Sequence, residues 1–230
     1  MSSPLLLLRP QPGNDESAER ARALGIEVIQ LPLFEIVALA PTPLPEGPFD
    51  ALLVTSANGA RHGAEVLRRL ADLPIFTVGE ATARVIRDRG ERLVTVGGGD
   101  AASTIPLIVA AGHRRLLHIC GADVRPFDPL GLHVTRHIVY RSEPRDMRPF
   151  AGMLASLPPC VIAVHSPRAG RRLDALLPPA PRPHRLAAIS RAAADAAGPG
   201  WQQVEVAPTP DDAALLRLAS ALCAASPPRR

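Results

Sequence analysis

The residues best suited to chemistry in this 230-residue chain sit in four turns, each where a short apolar run gives way to a helical pattern. They are Thr55-Ser56-Ala57-Asn58, Val78-Gly79-Glu80-Ala81-Thr82, His165-Ser166-Pro167-Arg168 and Ile189-Ser190-Arg191. Open parallel sheets bind ligands beyond the carboxyl ends of their strands, and helix N-termini there offer free N–H groups to anions. Any one of Ser56, Ser166 and Ser190 reads equally well as a helix cap. Four such turns in paired spacing make the reading as a binding site stronger than any single turn does. Arg9, just after the first apolar run, and Arg168 add guanidinium forks that match carboxylates, although either reads equally as a solvated surface charge. Tyr140, the single tyrosine, lies in a segment that resembles a crossing between domains, where its hydroxyl would face a cleft. The competing reading makes it a half-buried packing residue on an edge strand.

Other chemistries are excluded by what is missing. A serine nucleophile needs a base and an orienting acid, and neither a G-x-S-x-G elbow nor a paired His and Asp follows these serines, so hydrolysis is rejected. Gly97-Gly98-Gly99 lacks both the Lys-Ser/Thr ending of a phosphate loop and dinucleotide spacing, and reads as a flexible loop. The seven His include no HxH or HExxH arrangement, and Cys120, Cys160 and Cys223 are odd in number, far apart and without CxxC spacing. No metal and no disulfide framework are expected. Glu80, at a helix start with no second carboxylate beside it, reads as a capping charge. The formal charge is +4 and every basic residue except His is Arg, which suits an anionic partner. Aromatics at 3%, with no basic cluster alternating with stacking residues, argue against nucleic acid.

The elements that must position these turns follow from hydrophobic patterning. Ten apolar runs predict strands: Leu5 to Leu8, Val28 to Leu31, Ala51 to Val54, Ile75 to Val78, Leu93 to Val96, Leu116 to Ile119, Val134 to Tyr140, Val161 to Val164, Leu186 to Ile189 and Val204 to Val206. They alternate with helical patterns, which predicts parallel α/β architecture with two five-stranded sheets. Helices are expected from about Asn14 to a stop at Gly25, over Arg61 to Leu70, over Ala81 to Arg89, and over Asp211 to Cys223. The halves echo one another: Leu53-Val54-Thr55-Ser56-Ala57-Asn58 matches Ala163-Val164-His165-Ser166-Pro167-Arg168, and Thr77 to Ala83 matches Ala188 to Ala194, each about 110 residues later. Leu33 to Pro48 and Arg136 to Pro144 read as crossings between domains. Patterning permits two consecutive domains, or a chain that crosses and returns. No apolar run reaches membrane-spanning length, and the opening Met1-Ser2-Ser3-Pro4-Leu5 does not resemble a signal peptide, so no membrane association and a cytoplasmic location are expected. No apolar stripe calls for a dimer, leaving monomer as the expectation, and the tail Ala224 to Arg230 is expected to fray.

Several ordered landmarks carry a family resemblance. Leu8-Arg9-Pro10, Leu31-Pro32-Leu33, Phe49 through Asn58, Val78-Gly79-Glu80-Ala81-Thr82-Ala83, Val139-Tyr140-Arg141 and His165-Ser166-Pro167-Arg168-Ala169 together resemble the uroporphyrinogen-III synthases. The resemblance covers nearly the whole chain. It implies two related parallel-sheet, flavodoxin-like α/β domains joined by a two-stranded β linker, with open and closed forms. Residues 1–34 and 146–230 would form a discontinuous domain one, 47–133 domain two, and 35–46 and 134–145 the linker strands. The implied reaction takes hydroxymethylbilane, a linear tetrapyrrole with eight carboxylates, expels its terminal hydroxyl as water, inverts the last ring and closes the macrocycle without a cofactor. Holding the bilane, rather than strong acid–base catalysis, would then set the product. The resemblance carries over Thr82, Tyr140 and the Ser166 turn; with the turns above, Tyr140 is expected as the catalytic residue and Arg9, Thr55, Ser56, Asn58, Gly79, Thr82, Gly121, Ser166, Arg168 and Ser190 as substrate contacts. Hydroxymethylbilane synthase becomes a candidate partner for substrate hand-over. Where some members carry Thr in the second strand-to-helix turn, this chain has Ala192 and Ala193, so the resemblance carries over no threonine role at those two positions. The competing functions are a non-enzymatic two-domain binder of small anions and an inactive paralogue.

Overall fold

Each of the ten apolar runs forms a strand in the computed structural model, which describes residues 2–90, 93–147, 150–178 and 181–225. The chain divides into two compact units, Met1–Glu35 with Pro144–Arg230, and Ile36–Glu143. It begins with β1 (Leu5–Leu7), α1 (Gly13–Ala23) and β2 (Val28–Gln30), and β3 (Phe34–Ala38) leads on. Then come β4 (Ala51–Val54), α2 (Ala57–His62), α3 (Ala64–Arg69), β5 (Ile75–Thr77), α4 (Glu80–Arg87), β6 (Val94–Val96), α5 (Ala101–Ala110), β7 (Arg115–Gly121) and β8 (His133–Pro144). The first unit is completed by α6 (Phe150–Ser156), β9 (Val161–Val164), α7 (Pro167–Leu176), β10 (Arg182–Ala188), α8 (Arg191–Ala196), β11 (Trp201–Val206) and α9 (Asp212–Ala224). The expected frayed tail falls, beyond Ala225, outside the described residues.

The first unit's sheet has the order β11-β10-β9-β1-β2 and is parallel throughout. Numbered within the unit, that order is 2-1-3-4-5, the flavodoxin-like one. Side chains alternate across a pleated strand, so β1 feeds two cores. Leu5 and Leu7 face Ala18, Ala21 and Leu215 from α1 and α9, while Leu6 and Leu8 face Phe150, Leu173 and Ala193 from the other helices. All four leucines are fully buried, each worth about 1.5–3 kcal/mol of transfer free energy.

The second unit's sheet has the order β3-β8-β7-β4-β5-β6. Its five parallel strands, numbered from β4, run 3-2-1-4-5, the first unit's arrangement with a different starting strand. Leu52, Val54, Leu117 and Ile119 pack toward α2, α3 and α4, whereas Ala51, Leu53 and Phe76 pack toward Ile105 and Ile108 of α5.

Two expectations are corrected. The sheets contain five and six strands rather than five each, because β3 forms inside the proline-rich segment Leu33 to Pro48. It lies beside β8, with the Leu39 N–H donating to the Val139 carbonyl at 3.1 Å and the Arg145 N–H to that of Leu33 at 3.0 Å, an antiparallel register. The helix expected over Arg61 to Leu70 is instead α2 and α3, broken at Gly63. A Cβ there would meet Ile119 Cγ2 at 2.4 Å, so this glycine lets the helix pair lie directly on β7.

Candidate active site

In an open α/β sheet the crevice forms where strand order reverses, beyond the strands' carboxyl ends. In the second unit that point lies between β4 and β7. A pocket of about 260 Å³ occurs there. It is lined by Thr55 and Ser56 after β4, Val78 after β5, Gly99, Asp100 and Ala101 at the start of α5, Gly121, Asp123, Val124, Arg125 and Phe127 at and after the end of β7, and Tyr140 of β8. The three-glycine loop is thus part of the rim. Its Gly99 has φ +113°, and the Asp100 carboxylate caps α5 by accepting from the Ser103 N–H at 2.8 Å.

Tyr140 is aimed by a β-bulge. The register of β7 with β8 pairs Cys120 with Ile138 and Gly121 with Tyr140, skipping Val139. Bulges re-aim side chains in this way. β8 lies between β3 and β7, so Tyr140 is not on an edge strand. Its hydroxyl is 3.0 Å from Ser56 Oγ, which also accepts from the Gly59 N–H at 2.9 Å as the cap of α2. Burial raises the phenol's pKa above its ordinary value, opposed by the hydrogen bond with Ser56, so the phenol keeps its proton at neutral pH. The ring lies on the backbone of Gly121, where a Cβ would come within 2.6–2.9 Å of its Cζ, Cε2 and Oη. Gly121→Ala is therefore expected to push the ring aside and cost about 1–3 kcal/mol of stability. Because Tyr140 is the only tyrosine, its ultraviolet titration reads this directly: the raised pKa should fall back toward the ordinary value.

Thr55 is held from below. Its Oγ1 is 2.9 Å from Nε2 of His118, a fully buried residue of β7 whose ring meets Phe127 edge-on at 5.7 Å. Burial, with a smaller contribution from the Arg136 charge, pushes the His118 pKa down to about 4, so the imidazole is neutral near pH 7. Arg136 donates to the carbonyls of Gly121 (3.3 Å) and Ala122 (3.0 Å), which fixes the loop that forms the pocket wall. Of the other residues expected in this unit, Asn58 accepts from Arg61 at 3.2 Å, Gly79 caps α4 and Thr82 is 4% exposed. None of these three lines the pocket.

The first unit repeats the serine turns. Ser166 caps α7 by accepting from the Ala169 N–H at 3.1 Å, and Ser190 caps α8 by accepting from that of Ala193 at 3.3 Å, with the same extended backbone as Ser56. The echo is therefore one cap geometry at equivalent strand ends. The Arg168 guanidinium lies over the Phe34 ring at 4.6 Å. At this unit's own reversal point, between β1 and β9, an internal carboxylate sits among donors. Asp212 Oδ1 accepts from Arg9 (3.1 Å), Ser17 (2.7 Å) and His165 Nε2 (2.8 Å), and Oδ2 from Arg20 Nε (3.0 Å). Burial alone would raise this carboxyl, but the bonds and charges of His165, Ser17 and Arg9 hold it well below the usual carboxylate range. A paired His and Asp thus do adjoin Ser166. The His165 nitrogen and the Ser17 hydroxyl both point at the carboxylate, so no serine is activated.

Sequence patterning missed His118, Asp123, Arg125, Arg136 and Asp212. His118 had a signal: a lone histidine inside the apolar run Leu116 to Ile119. The others lie on loops or faces with no periodic mark.

Fold and site define a doubly wound α/β protein with paired strand-end turns and a pocket that brings the hydroxyls of Thr55, Ser56 and Tyr140 together. The family described as uroporphyrinogen-III synthase HemD matches residues 15–217, and the chain belongs to it. The uroporphyrinogen-III synthetase of Helicobacter pylori 26695 is 17% identical, over 96% of this chain and 99% of that one, with a TM-score of 0.63. A mutant uroporphyrinogen III synthase of the extremely thermophilic bacterium Thermus thermophilus is also 17% identical, over 96% and 98%, with a TM-score of 0.56. At those identities the likeness is one of fold. No curated protein sequence matches the chain. The function is that of the family, a cyclising lyase that forms uroporphyrinogen III in tetrapyrrole biosynthesis. Among the described residues no helix is long and apolar enough to cross a membrane.

Proposed function

We propose that the pocket of the second unit is where the terminal hydroxyl of hydroxymethylbilane leaves, with Tyr140 as the catalytic residue. The observation that supports this most is the buried, protonated phenol seated on Gly121 and hydrogen-bonded to Ser56 at 3.0 Å. In this reading Ser56 donates to Tyr140, whose own hydrogen is free for the leaving oxygen. The carbon–oxygen bond breaks with its electron pair on oxygen, the phenol supplies the proton, and water departs. The proton lost when the last ring's carbon forms the closing bond restores the phenol.

Thr55, Gly121 and the main-chain N–H groups of the turn after β4 hold substrate carboxylates beside that step, while the Ser56 hydroxyl acts through Tyr140. Asn58, Gly79 and Thr82 belong to the turns that shape it. Ser166, Arg168 and Ser190 offer further donors in the first unit, and Arg9 acts there through Asp212 rather than as a free fork. Because an unprotected bilane closes by itself to the uninverted isomer, direct transfer from hydroxymethylbilane synthase to this chain, as a cytoplasmic monomer, fits the chemistry. The assay supplies freshly made hydroxymethylbilane, oxidises the products and separates the isomers. Isomer III should dominate; isomer I alone would sink the reading and leave an anion binder or an inactive paralogue.

A further inference from the structure

Thr55 and His118 form a pair whose hydrogen-bond direction the geometry restricts. A neutral imidazole carries one N–H. If it sits on Nδ1, the Thr55 hydroxyl must donate to Nε2, and a fully buried N–H is left with no acceptor, because His118 Nδ1 has no hydrogen-bond partner among the described residues. If it sits on Nε2, it donates to Thr55 Oγ1 and only a bare lone pair is buried. Orphaned buried N–H groups are rarer and costlier than under-satisfied acceptors. The second arrangement therefore wins. Its consequence reaches the surface, since Thr55 lines the pocket: with Oγ1 already accepting, the hydroxyl hydrogen is released for a ligand.

We propose that His118 is a positioning residue that fixes Thr55 as a hydrogen-bond donor to a substrate carboxylate. It never touches the substrate, being fully buried behind Thr55 and Phe127. A hydroxyl free to rotate would offer lone pairs to an anion part of the time. One whose acceptor site is filled from behind offers its hydrogen. The same logic applies beside it, where the Gly59 N–H fills one acceptor site of Ser56. Chains of this kind, with every donor pointing one way, polarise one another toward the pocket. This proposal rests on reading the pocket as a carboxylate site.

Two measurements test it on the full chain, the first without catalysis. Long-range proton–nitrogen correlation spectra of histidine-labelled protein at pH 7, with His118 assigned by the signals lost in His118→Gln, should show a neutral ring protonated at Nε2. Protonation at Nδ1 overturns the proposal. The second compares substitutions. His118→Gln places an amide N–H near the Nε2 position and should keep KM for hydroxymethylbilane within about twofold. His118→Met cannot donate and should raise KM roughly tenfold, the worth of one charge-assisted hydrogen bond, with kcat changed far less. In a Thr55→Val background the same His118→Met change should add nothing, because the hydroxyl through which it acts is gone. Effects that multiply, or a His118→Gln protein as impaired as His118→Met, would overturn it. Production of isomer I alone by the unaltered enzyme would defeat the functional reading and leave the nitrogen assignment standing.

Discussion

Tyr140→Phe should leave a folded enzyme that makes uroporphyrinogen III about a hundredfold more slowly, with isomer III still the main enzymatic product. The magnitude follows from removing a positioned proton donor, which commonly costs roughly 10²–10⁴ in rate. Phenylalanine keeps the ring on Gly121 and its tilted contact with His62, whose centroid lies 5.8 Å away, so the pocket wall survives. What disappears is one hydroxyl and its bond to Ser56. The effect should therefore fall on kcat, with KM nearly unchanged. Spontaneous closure competes with a slowed enzyme, so isomer I should rise only as the enzyme is diluted. Full activity in this variant would remove Tyr140 from the chemistry.

Asp212→Ala should strongly destabilise the first unit, lowering the free energy of unfolding by about 3–5 kcal/mol. Removing one partner of a buried charge cluster leaves the other charges without compensation. Here the charge so left is Arg9, the Arg20 guanidinium being largely solvated, and the imidazole of His165 and hydroxyl of Ser17 lose their acceptor as well. The pH dependence identifies the cause. A carboxyl held below its unfolded pKa stabilises the fold above that pKa and loses the contribution as pH falls through the folded value. The unaltered chain should therefore lose stability below about pH 4, the unfolded carboxylate range, and Asp212→Ala should lack that part of the acid slope. Chemical denaturation at pH 7 and pH 3 measures both; equal slopes would show that the cluster contributes nothing. Acetate in the medium should restore part of the loss by occupying the vacated donors, raising the midpoint of the variant more than that of the parent.

What could be read in the sequence depended on whether the signal was local. The clearest of the ten recognised strands are covered on both faces, where near-continuous Leu, Val and Ile runs are required, as in Leu5 to Leu8 and Val161 to Val164. β3 escaped because Phe34–Ala38 is only half-buried and stands among prolines that read as a linker. Gly63 was hidden in a good helical pattern, and only the close approach of Ile119, 56 positions later, requires glycine there. The serine turns were legible because caps are local: each Ser accepts from an N–H three residues on. The supporting residues were not. His118 reaches Thr55 across 63 positions, and Asp212 reaches Arg9 across 203. Arg9 illustrates the limit, since its type predicts an anion partner correctly but cannot say that the partner is the chain's own carboxylate.

The two strand orders, one a permutation of the other, impose different schedules on the growing chain. The second unit is complete once β8 has been made, and all its pairings lie within a single stretch of about 110 residues. The first unit begins with an interior strand, next to the sheet's centre. β1 needs β9 as a neighbour, yet Val161 pairs with Leu5 some 156 positions later. At roughly 5–20 residues per second of synthesis, the leucines of β1 wait about 8–30 s for that partner. During that interval four consecutive leucines and one open edge of β1 lack their partners, the kind of surface that aggregates or recruits a chaperone. Joining residue 225 to residue 2 and opening the chain in the first crossing would remove the delay. Residues 3 and 223 already lie together, the Ser3 N–H donating to the Cys223 carbonyl at 3.0 Å.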